Sequence, residues 1–245
     1  GFPIIGGNGK VPEVVTVLDT GYQYAAINGS DDFFYKPDEN GQITLKNFWE
    51  FNHQQMDDFW SVTENPGHLR LHSAKLSPTL FQAYNTLTQR TVGPKCAAEV
   101  TLRFAHMKNG DVAGISTFIG NYGFTGVKKE NDQFYLIMMG RPAKDTTVFG
   151  QFEYENPGLE YARVPIYGES ICLRAEADFT DKRDLSSFYY KEGDNWQKLG
   201  IDQPMYFKMD LFTGCRFGLF YYSTEQTGGY VDFSKFQFIW PEYVY

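Results

Sequence analysis

Residues 68–73 read His-Leu-Arg-Leu-His-Ser, "HLRLHS", alternating apolar and polar at each step. In an extended strand successive side chains leave opposite faces. Leu69 and Leu71 then share one face, and His68, Arg70 and His72 share the other. A helix would scatter the same residues around its circumference. The stretch therefore predicts a strand with one dry side and one wet side.

Working outward, the same texture returns in "CAAEVTLRF" (96–104), "AGISTFIG" (113–120), "DQFYLIMMG" (132–140) and "SICLRAEADF" (170–179). It continues in "LSSFYYKEG" (185–193), "RFGLFYYST" (216–224) and "YVDFSKFQFIW" (230–240). Each segment is short and rich in β-branched or aromatic residues. Between them lie turn formers such as Asn65-Pro66-Gly67, Lys108-Asn109-Gly110-Asp111, Glu192-Gly193-Asp194 and Gly228-Gly229. Only "SPTLFQAYNTLTQRT" (77–91) has a helical period, weakened by its threonines. Many short antiparallel strands at regular spacing predict an all-β, two-sheet sandwich or a barrel, with no propeller-type repeat. Residues 1–29 lack clean alternation and read as a linker, with the sandwich running from 30 to 245.

The chain has 245 residues and a net charge of −8, which argues against nucleic acid or an anionic membrane surface as partner. No apolar run approaches the roughly 20 residues of a helical span. The 22 Phe, 17 Tyr and 4 Trp exceed what a core needs, so some rings are expected at a surface, where they suit sugars or a partner domain. Three cysteines, Cys96, Cys172 and Cys215, cannot all pair and read as buried free thiols. No signal peptide is visible, and the opening "GFPIIGGNGKVP" reads as a chain entered in mid-sequence.

Candidate chemistry is sparse. His68 and His72 share a strand face, but four residues at about 3.3 Å each separate them too far to hold one metal. Glu176 and Asp178 share another strand face and are the best local candidates for a glycosidase acid pair. No nucleophile elbow, phosphate loop or Cys-His pair is present. In "FWEFNHQQ" (48–55), Trp49, Phe51 and His53 fall on one strand face. That pattern reads as two core rings followed by a histidine donating to a backbone carbonyl. The alternative puts Asn52 and His53 at a sugar-facing rim.

These segments resemble the C-terminal β-sandwich of glycoside hydrolase family 43 β-xylosidases and α-arabinofuranosidases. "GFPIIGGNGKVP" (1–12) is similar to the family's segment leaving the catalytic propeller. "FWEFNHQQMDDFWSVTENPGHLRL" (48–71) and "LFQAYNTLTQRTVGP" (80–94) resemble its W-x-W-N-H and N-T-L-T-Q-R-T motifs. "MKNGDVAGISTF", "NYGFTGVKKE", "SSFYYKEGDNWQKLG", "LFTGCRFGLF" and "GGYVDFSKFQF" match in order thereafter. Gln54-Gln55 and Tyr84 depart from the family's Asn-Pro and Arg.

The resemblance implies a concanavalin A-like or laminin-G-like jelly roll. It also implies that the three catalytic acids belong to a propeller upstream, that no cofactor is required, and that the parent enzyme is secreted or periplasmic and acts on pentose-containing polysaccharide. It implies that "LFTGCRF" (211–217) reaches the propeller's pocket, with Phe212 and Arg216 facing it. A structural calcium would sit between Asp32 and Asp232. As a free-standing carbohydrate-binding module, the alternative function, the chain would stack xylan or arabinan on Trp196, Tyr122 and Phe124. A third reading, an autonomous glycosidase, would use Glu176 and Asp178.

Overall fold

The computed structural model describes residues 20–23, 25–141, 155–205 and 214–240. In chain order the strands are β1 (Glu50–Phe51), β2 (Trp60–Ser61), β3 (Leu69–His72), β4 (Leu87–Arg90), β5 (Lys95–Arg103), β6 (Asp111–Phe118), β7 (Tyr122–Glu130) and β8 (Gln133–Arg141). They continue as β9 (Leu159–Ile166), β10 (Ser170–Asp178), β11 (Leu185–Glu192), β12 (Asn195–Lys198), β13 (Gln203–Pro204), β14 (Arg216–Ser223) and β15 (Tyr230–Ile239). One sheet has the order β1-β4-β14-β6-β7-β8-β9. The other runs β12-β11-β10-β5-β15-β3-β2, with β13 pairing β11. All the pairings between these strands are antiparallel. The result is the two-sheet sandwich expected from the alternation.

Leu69 and Leu71 are buried while Arg70 and His72 lie at intermediate exposure, as "HLRLHS" predicts. They join Val100, Leu102, Phe217, Leu219, Phe233 and their neighbours in the core between the sheets. A second apolar layer lies on the far side of the seven-stranded sheet, built from Val112, Phe118, Tyr122, Phe124, Ile137, Phe220 and Tyr222. This is where much of the aromatic surplus goes. Both faces of β6 are consequently buried along its whole length. Tyr122 and Phe124 are 1% and 0% exposed, so neither offers a face to a sugar, and the surface-platform reading of these two rings is corrected.

The segment with a helical period is what packs on this second layer. It forms a single 3-10 turn at Leu80–Gln82, with Leu80 buried. Phe81 packs edge-on to Tyr122 at 5.1 Å and tilted against Phe118 at 5.5 Å. Asn85 then turns the chain at φ +57°, a left-handed conformation that Asn tolerates, and β4 follows. Threonines at 79, 86, 88 and 91 disfavour a continuing helix and suit the strand instead.

The chain enters the sandwich at Gly29, whose backbone N–H and C=O both bond the Gln89 side chain. Asp31 then bridges β15 at Phe236. Its carboxylate is 2% exposed. It accepts bonds from Trp49 Nε1 (2.7 Å), Lys46 Nζ (3.0 Å), the Phe33 amide (2.9 Å) and the Tyr35 hydroxyl. Burial and the Asp31 bond push the Tyr35 phenol well above its ordinary range. Trp49 in turn stacks on Phe33 at 5.9 Å and meets Phe236 edge-on at 4.8 Å.

Asp31→Ala strands the buried indole N–H and removes the acceptor of the Tyr35 hydroxyl, so a loss of roughly 3 kcal/mol is expected in urea unfolding. Lys46→Met, at a half-exposed partner, is expected to cost less than about 1 kcal/mol.

A pH dependence also follows. Bonds from Arg163 and then Lys128 hold Glu130 down to about 2. Burial works against the Asp178 charge, but Lys95 and Thr180 hold that carboxyl at about 2 as well. For a depressed carboxyl the unfolded chain takes up the proton first. The stabilisation is therefore complete above the unfolded value near 4 and is lost as pH falls towards 2. Both sites are partly solvated, so each contributes under about 1 kcal/mol. Glu130→Gln is expected to lower stability at pH 7, by an amount that shrinks steadily as pH falls through about 2, read as urea midpoints.

Candidate functional site

The stretch 48–55 forms one rim of the seven-stranded sheet. Glu50 and Phe51 pair with Thr88 and Leu87 of β4. Phe51 turns inward and packs on the core, whereas Glu50 faces out. Beyond the strand, the Asn52 amide donates to the Thr86 carbonyl at 3.0 Å. His53 Nε2 donates to the Phe81 carbonyl at 2.6 Å. That bond makes His53 a strap between two segments. Asn85 doubles that strap, accepting from the Met56 amide at 2.9 Å and donating to its carbonyl at 3.1 Å. His53, Gln55, Lys75, Phe81, Gln82 and Tyr84 line an open cleft of about 560 Å³, with Lys75 Nζ 4.3 Å above the Tyr84 ring.

Arg216 opens β14 directly opposite Arg90 of β4. Its Nη1 donates to Glu50 Oε2 at 2.6 Å and lies 3.3 Å from Thr88 Oγ1. Glu50 also reaches Arg90 at 3.6 Å. One carboxylate therefore holds two facing guanidinium groups in place. The Arg216 bond is the main reason the Glu50 carboxyl lies below its ordinary range. Phe212, the other residue expected to reach a pocket, lies outside the described residues. Beside Arg216, a cavity of about 480 Å³ is lined by Arg90, Thr91, Gly93, Phe179, Gly214 and Cys215.

Glu176 and Asp178, the described candidates for a glycosidase pair, are each engaged by a cation. Glu176 and Asp178 do share a face of β10. Glu176 pairs with Arg174 at 2.9 Å and Asp178 with Lys95 at 2.8 Å. A glycosidase acid must be pushed up towards neutrality to donate a proton, and Asp178 is pushed the opposite way. Asp111 is raised by burial, but it is sealed from solvent and accepts from Tyr221, Ser223 and the Lys108 amide. It braces a turn. Trp196 is half-buried, with Arg174 5.6 Å from its ring centre.

The calcium expectation does not fit these residues. Asp31 pairs with Phe236, which sets Asp32 beside Lys235, three residues and roughly 10 Å of strand from Asp232. Asp232 is occupied by donors, Arg70 Nε at 2.7 Å, Arg70 Nη2 at 2.9 Å and Asn65 Nδ2 at 2.9 Å, where a cation would need bare oxygens. Asp32 is exposed and accepts the Phe34 amide, forming a local turn. Among the described residues no group of three His, Cys, Asp or Glu could hold a metal. His72 pairs with Glu64 at 3.0 Å, on the wet side of β3. The thiols of Cys96 and Cys215 are buried and pushed up to about 12, which leaves them unreactive.

Residues 38–239 match the family model described as the β-xylosidase C-terminal concanavalin A-like domain. A β-xylosidase of Formosa agariphila is 26% identical over 268 residues, spanning 97% of this chain and 40% of that protein. A bifunctional GH43-CE protein of Bacteroides eggerthii superposes with a TM-score of 0.80 at 34% identity, over 98% of this chain and 29% of its own. An engineered GH43 glycoside hydrolase with endo-xylanase and exo-arabinofuranosidase activity gives 0.77 at 27% identity, over 90% and 42%. The chain thus spans well under half the length of each. It belongs to the β-xylosidase C-terminal concanavalin A-like domain family, and the relatives it matches are glycoside hydrolase family 43 enzymes.

Proposed function

We propose that this sandwich is the non-catalytic accessory domain of a family 43 xylosidase or arabinofuranosidase acting on plant hemicellulose. In this reading it docks on the catalytic propeller, and segment 211–217 forms part of the substrate pocket's wall. The observation that carries the reading is the match to the accessory domain over 38–239, together with Glu176 and Asp178 each being taken up by a neighbouring cation. Arg216 supports the finer part. Glu50 and Thr88 fix its guanidinium at the end of that segment, and a fixed cation suits hydroxyl oxygens at a pocket rim.

The 245-residue chain at high concentration is expected to show no turnover of aryl-β-xyloside or aryl-α-arabinofuranoside. Turnover abolished by Glu176→Gln with Asp178→Asn would overturn the reading. Titration with xylo- and arabino-oligosaccharides is expected to give no micromolar binding; a clear isotherm would favour a free-standing module.

In a chain carrying both propeller and sandwich, Arg216→Ala is expected to raise KM about tenfold with kcat within twofold, the effect of one charge-assisted contact. Glu50→Gln is expected to give a smaller shift in the same direction, because it loosens Arg216 without removing it. Unchanged KM in both variants contradicts the assignment of Arg216.

A further inference from the structure

The sandwich interior is not apolar throughout. Where β11 and β13 face the start of β7 and the end of β8, four polar side chains are sealed in. Asn121 is 4% exposed, Thr125 0%, Ser186 0% and Gln203 1%. Asn121 Oδ1, Thr125 Oγ1, Ser186 Oγ and Gln203 Oε1 each lack a hydrogen-bond partner among the described residues.

The two amides are oriented by their nitrogens. Asn121 Nδ2 donates to the Pro204 carbonyl at 2.8 Å, and Gln203 Nε2 lies 3.4 Å from the same oxygen. Both amide oxygens are thereby turned away from that carbonyl. Ser186 is the register partner of Gln203, and Gly123 is the register partner of Gly140. The glycine pair makes room for the glutamine. A Cβ on Gly140 would lie 2.1 Å from Gln203 Oε1, and one on Gly123 would lie 3.0 Å from Gln203 Cγ. Thr125 stands two residues beyond Gly123, on the same inward face of β7.

Buried polar atoms in folded proteins are almost always satisfied, because a stranded one lowers the folding constant by roughly tenfold or more. Four in one corner call for a ligand that is not protein. Two of them, the amide oxygens, can only accept. The two hydroxyls can donate or accept. A molecule that both donates and accepts, and is small enough for a closed sandwich, meets all of these demands. A cation meets them poorly, since all four oxygens are neutral and calcium sites recruit carboxylates.

We propose that ordered water is built into this corner, bridging Asn121 Oδ1, Gln203 Oε1 and Ser186 Oγ and extending to Thr125 Oγ1, as a constituent of the fold.

The sign of a substitution separates wet from dry. With water in place, Ser186→Ala and Thr125→Val each remove a partner of a bound molecule and should lower the folding constant of the 245-residue chain about tenfold, read from urea midpoints. In a dry corner the same changes delete an unsatisfied group and should raise it, overturning the proposal. A crystal structure supplies the second measurement, independent of variant folding. Density peaks within about 3.2 Å of at least two of the four oxygens are expected. A corner without such peaks, or the side chains bonded to one another there, overturns it. So does a rise in melting temperature on adding sodium or calcium at constant ionic strength, which would assign the site to a cation instead.

Discussion

The bond between the buried Asp31 carboxylate and the Trp49 indole, 2.7 Å long, is the constraint on which the arrangement of this domain turns. It joins the incoming chain to the stretch that begins the seven-stranded sheet, while the Asp31 backbone pairs with β15 of the opposite sheet. The ends of the domain and both sheets therefore meet at one carboxylate. A buried charge is tolerable only where it is saturated with donors, and Asp31 has four. From there β1 is held against β4, His53 reaches Phe81, and Glu50 is set where it fixes Arg216. Core, rim and candidate contact residue are one connected assembly.

The seven-stranded sheet is unusual in being dry on both sides along β6 and β14. An antiparallel sheet commonly leaves one face wet. Here the outer face carries Phe118, Tyr122, Phe124, Phe220 and Tyr222, and the turn around Leu80 packs on it. The charged residues instead occupy the outer face of the eight-stranded sheet, where Lys95, Arg174, Glu176, Asp178, Lys198 and Asp202 pair with one another. One outer face is built for packing and the other for water.

Much of this was legible in the sequence. Period-two alternation in "HLRLHS" and its relatives located the strands, and the motif order pointed to the family. The bond from His53 to a backbone carbonyl was legible too, as one of the two readings its place behind two inward rings allowed. What was not legible depends on partners distant in the chain. Asp31 and Asp32 are adjacent and chemically equal, and only pairing with Phe236, some 200 residues later, decides which one turns inward. Asp232 looked available as a metal ligand until Arg70 and Asn65 filled its lone pairs. Tyr122 and Phe124 sit beside turns, and nothing local announces that a second apolar layer covers them. The helical period of 77–91 reflected packing on that layer, because apolar positions three apart serve a lid as well as a helix.

The central claim is that this sandwich acts through a catalytic neighbour and has no chemistry of its own. Titrating the 245-residue chain into a separately produced family 43 propeller, with sedimentation and kcat/KM followed together, tests that claim most directly. The account predicts a one-to-one complex and a saturable rise in kcat/KM with complex formation. Failure to associate, with the propeller's kcat/KM unaltered at saturating chain, would contradict it.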